Sequence, residues 1–144
     1  MSDATHSKRA PEPVGLYPHA RRVGNLLFLS GVGPRKPGSA SHAAAIPGVT
    51  LDATGKVTDY DIEAQVRAVF DNVRLILEDA GSSWDRLVDV TVYLTDMERD
   101  FAAYNRLWAE RFAKHPNPPC RTTVEINRLP TPIAIELKCI ATIG

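Results

Sequence analysis

The stretch DYDIEAQVRAVFDNVRLILEDAG, residues 59–81, constrains the fold more than any other. Ile62, Val66, Val69, Phe70, Val73, Ile76, Leu77 and Ala80 recur at intervals of three and four, so a helix here carries a broad apolar stripe that must lie on something. Thr58 or Asp59 can cap its start, and Gly81 suits its C-terminal stop. A surface for it to cover is legible just downstream. In RLVDVTVYLTD (86–96), Val88, Val90, Val92 and Leu94 alternate with Asp89, Thr91 and Tyr93, as in a strand with one buried face. MERDFAAYNRLWAERFAKH (97–115) returns to helical spacing, with Phe101, Tyr104, Trp108 and Phe112 on one side, and Pro116, Pro118 and Pro119 end it.

Around this centre the chain organises simply. Residues 1–13 are polar and end in Pro-Glu-Pro, which predicts a flexible N-terminal arm. HARRVGNLLFLSG (19–31) reads as two strands around the turn pair Gly24-Asn25. A Pro/Gly-rich loop follows at about 32–58, with short strands in VTLDATGKVT near its end. Residues 120–126 and 133–143 are the last two strands. The order β-β-α-β-α-β-β makes residues 14–144 a single α+β domain, a mixed sheet with two helices on one face. Asp89, Thr91 and Tyr93 then point to the other face, a semi-polar surface suited to a subunit interface.

Composition removes several function classes. Lys+Arg and Asp+Glu both number 17, so no overall field favours nucleic acid or a membrane surface. Aromatics are only 7%, which also argues against an RNA-binding surface. Cys120 and Cys139 form no C-x-x-C pair, and His6, His42 and His115 show no metal-ligand spacing. The N-terminus lacks an apolar signal region and no apolar run is long enough to span a membrane, so the expected location is the cytoplasm.

The chemistry points to PPCRTTVEINRLPTPIAIELKCIA (118–141), where Arg121 and Glu136 interrupt strand-like runs. If the last two strands formed a hairpin closed by NRLPTP, with Ile126 opposite Ile133, then Arg121, Thr123, Glu125, Glu136 and Lys138 would share one face. Arg121 would lie diagonal to Glu136, about 7–8 Å away at the backbone. Two readings follow. The pair is a cross-strand ion pair on a solvated face, worth about 0–1 kcal/mol. Alternatively, the guanidinium grips a substrate carboxylate while the carboxylate holds a water or moves a proton, a combination suited to hydrolysis of a small acid.

At these residues the chain resembles the RidA/YjgF family of enamine/imine deaminases. The C-terminal motif carries the likeness, and GLYPHA (15–20), LFLSG (27–31) and DFAAYNRLWAERF (100–112) extend it over residues 14–143. The resemblance implies a chorismate-mutase-like subunit and a homotrimer, or a hexamer of stacked trimers, with sites at subunit interfaces. It implies that Arg121 binds the substrate carboxylate and Glu136 positions and activates water. Tyr17 would line the pocket, Ser30 and Gly31 would close around the acid, and Asn105 would hydrogen-bond nearby. Neither metal nor organic cofactor is implied. Leu16, Val32 and Thr123 depart from common family residues, Thr123 standing where several members carry cysteine.

The loop at 32–58 is longer than is usual in the family and resembles the 2-aminomuconate deaminase branch, whose members convert 2-aminomuconate to 4-oxalocrotonate and ammonia. Arg35 and Lys36 follow closely after Ser30-Gly31, where they could pair with a second carboxylate; His19, Arg21 and Arg22 are weaker candidates for that duty. The alternatives are a general 2-iminobutanoate/2-iminopropanoate deaminase, which would leave Arg35 and Lys36 without a role, and a non-catalytic trimer that binds small acids.

Overall fold

The computed structural model describes residues 3–37 and 43–144. Residues 38–42 of the expected long loop, His42 among them, lie outside it. Helix α1 spans Ile62–Asp79, with Asp61 rather than Thr58 or Asp59 as its N-cap; the Asp61 carboxylate accepts from the Glu63 N–H. Gly81, at φ +85°, ends it: the Gly81 N–H donates to Glu78 O and the Ser82 N–H to Leu77 O, the paired bonds of a Schellman motif. Helix α2 spans Met97–Arg111, capped by Asp96, whose carboxylate accepts from the Arg99 N–H.

The strands are β1 (Ala4–Thr5), β2 (Ala20–Val23), β3 (Leu26–Leu29), β4 (Val49–Leu51), β5 (Val57–Tyr60), β6 (Leu87–Leu94), β7 (Cys120–Glu125) and β8 (Ile135–Thr142). β4 and β5 form a separate hairpin, as VTLDATGKVT suggested, and the other strands make one sheet in the order β1-β2-β3-β8-β6-β7. Both helices cover one face. Val66, Val69, Phe70, Val73 and Leu77 of α1 pack with Val90, Val92, Leu94, Ile135, Leu137 and Cys139 in a single core. The other face carries Phe28, Thr91, Tyr93, Glu136, Lys138 and Ile140, all half-buried, together with the exposed Val124.

Three expectations need correction. The N-terminal arm is not loose over its described residues. β1 pairs with β2, Ser7 and Ala10 are buried, and the Ser7 hydroxyl donates to Asp79 of α1. A polar segment holds there because Asp79 and His19 give it specific partners rather than because it is apolar.

The second correction concerns the last two strands, which do not form a hairpin. β6 lies between them, parallel to β7 and antiparallel to β8. Helix α2 supplies the crossover that a parallel β6–β7 pair requires, and NRLPTP carries the chain past the end of β6 to its far side. Thirdly, Val88 is 42% exposed instead of core, because a register shift between Leu87 and Asp89 sends Leu87 inward in its place.

Candidate functional site

The strand order decides where the two charges go. Arg121 pairs in register with Val90, a core residue, and Glu136 pairs with Tyr93. Side chains alternate along strands and paired residues share a face, so Arg121 projects to the helix side and Glu136 to the opposite side. The expected juxtaposition of Arg121, Thr123 and Glu125 with Glu136 and Lys138 on one face is therefore overturned. One chain carries two separate constellations.

The first surrounds Glu136. Gly31 is packed so tightly against it that an added Cβ would sit 1.8 Å from Glu136 Oε1, so any other residue there would force the carboxylate to move. Gly31 in turn lines a cavity of about 30 Å3 with Tyr17, Ser30 and Arg35, and with Pro11 and Pro13 from the N-terminal segment. The Ser30 hydroxyl donates to Pro18 O at 2.7 Å, leaving its oxygen able to accept. The Tyr17 hydroxyl accepts from the Val14 N–H, folding the ring over its own loop. Burial pushes the Glu136 carboxyl above the ordinary carboxylate range, and the charge of Arg35 pulls it part of the way back.

Arg35 is itself buried, donates to Glu12 O at 2.5 Å, and is held below the usual guanidinium value by desolvation, against the opposing fields of Tyr17, Glu12 and Glu136. Lys36 is exposed, and its backbone N–H donates to Ala45 O. The weaker candidates are placed elsewhere. His19 Nδ1 accepts from the Ser7 N–H, so Nε2 carries the proton and donates to Pro11 O at 2.7 Å; the ring is a clamp for the N-terminal segment. Arg22 donates to Gly24 O, and Arg21 is exposed.

The second constellation surrounds Arg121. Its guanidinium stands 5.1 Å from the Tyr104 ring centroid and 5.0 Å from that of Trp108, both on α2. Tyr104 is fully buried and shares a hydrogen bond of 3.0 Å with the Thr123 hydroxyl. Burial raises the Tyr104 phenol above its ordinary value, with Thr123 and Arg121 acting the other way. This cage presents a planar cation held on aromatic faces, the arrangement that suits a carboxylate ligand. Asn105 follows Tyr104 on α2 and is exposed.

Two positioning residues escaped the sequence reading. Asn72 Nδ2 donates to Gly33 O at 2.9 Å and Arg35 O at 2.8 Å, pinning the segment that carries Arg35. Gln65 Oε1 accepts from the Ala134 N–H at 2.8 Å, fixing the approach to Glu136. Both are buried in α1, seven positions and two turns apart. The signal was available: each is a polar residue at a core-facing position of an otherwise apolar stripe, and a buried amide needs partners.

The family model for Endoribonuclease L-PSP matches residues 7–143. The chain belongs to this family, the RidA/YjgF family. Among RidA/YjgF relatives, a RutC family protein of Pyrococcus horikoshii is 38% identical over 141 residues, covering 98% of each chain. Among solved structures, the yjgF gene product of E. coli matches with a TM-score of 0.75 at 33% identity, over 99% of this chain and 98% of that one. E. coli TdcF, solved with bound serine, matches with a TM-score of 0.77 at 29% identity over 98% of both chains. Membership supports an imine/enamine deaminase or a small-molecule-binding role. Among the described residues no helix is long and apolar enough to cross a membrane.

Proposed function

We propose that the protein is a hydrolytic deaminase of an enamine or imine carboxylic acid, acting in the cytoplasm as a homotrimer whose sites form between subunits. The observation that carries this reading is the separation of Glu136 and Arg121 onto opposite sides of the sheet. Each constellation is half of a site. The cavity beside Gly31, about 30 Å3, has room for little more than a water molecule, so a substrate at Glu136 needs a second wall. The face bearing Glu136, Tyr93 and Val124 is uncovered by this chain's helices, and a neighbouring subunit is the natural source of that wall.

In this arrangement the Arg121 cage of one subunit holds the substrate carboxylate over the Glu136 half of its neighbour. The enamine takes a proton at carbon and becomes the imine. Water held by the Glu136 carboxylate adds its oxygen to the imine carbon and gives up a proton as the C–O bond forms. The resulting carbinolamine is protonated on nitrogen, its C–N bond breaks, and ammonia leaves as the C=O forms. Arg121 contributes orientation and charge compensation.

For the substrate we favour 2-aminomuconate, giving 4-oxalocrotonate and ammonia in aromatic catabolism. Arg35 supports this choice: it lines the cavity beside Gly31 and its charge acts on Glu136, so it is a cation placed to meet a second carboxylate. A monocarboxylic 2-iminobutanoate or 2-iminopropanoate would use Arg121 alone. The bound serine of E. coli TdcF favours the other alternative, a trimer that only binds small acids.

The test is ammonia release from enzymatically generated 2-aminomuconate and from 2-iminopropanoate, with wild type, Glu136→Gln and Arg121→Ala. Preference for 2-aminomuconate, lost in both variants, supports the proposal. Activity on the monocarboxylic imine alone returns the protein to a general deaminase. Release from neither removes catalysis on these substrates.

A further inference from the structure

A larger opening than the cavity beside Gly31 lies elsewhere on the chain. A groove of about 580 Å3 runs between β5, the start of α2 and the segment 127–134. Its volume is in the range of small-molecule sites, about 300–1,000 Å3. Val57, Leu129, Pro130, Pro132 and Ile133 give it an apolar lining, with Ile133 only 7% exposed.

The charge around this lining is one-sided. Lys56, Arg99 and Arg128 line the groove, against Asp59 as the single acidic residue of the lining. Asp59 is already occupied, accepting from Arg99 at 2.8 Å, and Arg99 is stacked 3.8 Å above the Tyr60 ring. Lys56 and Arg128 are exposed and make no side-chain ion pair among the described residues. A chain with no net charge thus places a net cationic rim around an apolar trough. Two buried side chains support the lining from behind: Asp100 accepts from the Tyr60 hydroxyl at 2.6 Å, and Gln65 accepts from the Ala134 N–H. Each keeps one polar atom, Asp100 Oδ1 and Gln65 Nε2, without a hydrogen-bond partner among the described residues, although Arg99 Nε stands 3.7 Å from Asp100 Oδ1.

We propose that this groove is a second binding site, for a small organic anion with an apolar body: a carboxylate set between Lys56 and Arg128, and a hydrocarbon or aryl portion on Leu129, Pro130 and Ile133. Neither cation belongs to the Glu136 or the Arg121 constellation, so the site stands or falls independently of the deaminase reading. Charge and hydrophobic contact act together here. A neutral analogue keeps the contact and loses the charge, whereas a small inorganic anion does the reverse.

The experiment titrates the full chain with 4-phenylbutyrate and follows backbone amide NMR shifts, alongside 4-phenylbutanamide as the neutral isostere. The expected result is saturable shifts at residues 56–60 and 127–134, weakened by salt, and at least about tenfold weaker for the amide and for the Lys56→Glu/Arg128→Glu double variant. An unchanged circular dichroism spectrum confirms that the variant is folded. Equal binding of acid and amide, shifts confined to Ser30–Arg35 and Glu136, or no saturation would each overturn the proposal. Saturation by an acidic peptide but not by 4-phenylbutyrate would overturn it in favour of a protein partner.

Discussion

Gly31 and Glu136 occupy almost the same space: a single methyl group on Gly31 would lie 1.8 Å from the carboxylate oxygen Oε1. A side chain at position 31 fits only if that carboxylate moves. Gly31→Ala therefore displaces the Glu136 carboxylate while leaving the core, which does not include Gly31, intact. We expect the variant to assemble normally and to lose about 10²–10⁴-fold in deaminase turnover, the range associated with losing a positioned proton-transfer group. Ammonia release together with circular dichroism separates that result from misfolding.

The pH dependence follows from the same carboxylate. Burial raises the Glu136 pKa and Arg35 lowers it. If the ionised form is the working one, kcat/KM rises with pH along an acidic limb above the ordinary carboxylate range. Arg35→Gln removes the downward pull, so that limb moves to higher pH. An unmoved limb would separate Arg35 from the chemistry. Stability runs the other way. A carboxyl whose folded pKa is raised contributes most below its unfolded pKa, and that contribution is lost as pH rises through the folded value. Glu136→Gln, which cannot ionise, is thus expected to be inactive yet more stable than wild type at neutral pH.

Among the described residues Arg121 stands over aromatic rings and makes no ion pair with a carboxylate. Arg121→Lys keeps the charge and loses the planar fork, and we expect KM to rise about tenfold or more. Trp108→Leu leaves the guanidinium in place without one of its faces. At about 0.5–2 kcal/mol for such a contact, KM rises about 2- to 30-fold with a smaller change in kcat. Steady-state kinetics on the preferred substrate distinguish these effects.

The N-terminal segment is held by polar contacts that can be cut singly. His19→Ala leaves the Ser7 N–H and Pro11 O without their ring partners in a buried setting, which costs about 1–3 kcal/mol. Urea unfolding at fixed protein concentration should show this as a lower midpoint with a similar slope.

Much of this fold could be read from periodicity. The stripe from Ile62 to Leu77 and the alternation from Val90 to Leu94 depend on local spacing, and they survive intact. Strand partners could not be read that way, because the sequence between β7 and β8 does not reveal whether the chain turns back or passes over β6. That ambiguity alone put Arg121 and Glu136 on one face. The polar N-terminal segment misled for a different reason: Ser7 and His19 are held by residues distant in sequence, with no apolar pattern to announce them. Asn72 and Gln65 were visible as anomalies in a stripe, but their partners Gly33 and Ala134 were not.

The claim that Arg121 and Glu136 work together only across a subunit interface can be tested by mixing. Glu136→Gln and Arg121→Ala proteins, each inactive alone, are unfolded together in equal amounts, refolded, and assayed for ammonia release. In a randomly mixed trimer, half of the subunits carry an intact Glu136 and half an intact Arg121, so about one site in four combines both, and about a quarter of wild-type activity should return. Hybrid trimers that form, as judged by native mass spectrometry, yet stay as inactive as their parents would contradict the shared site.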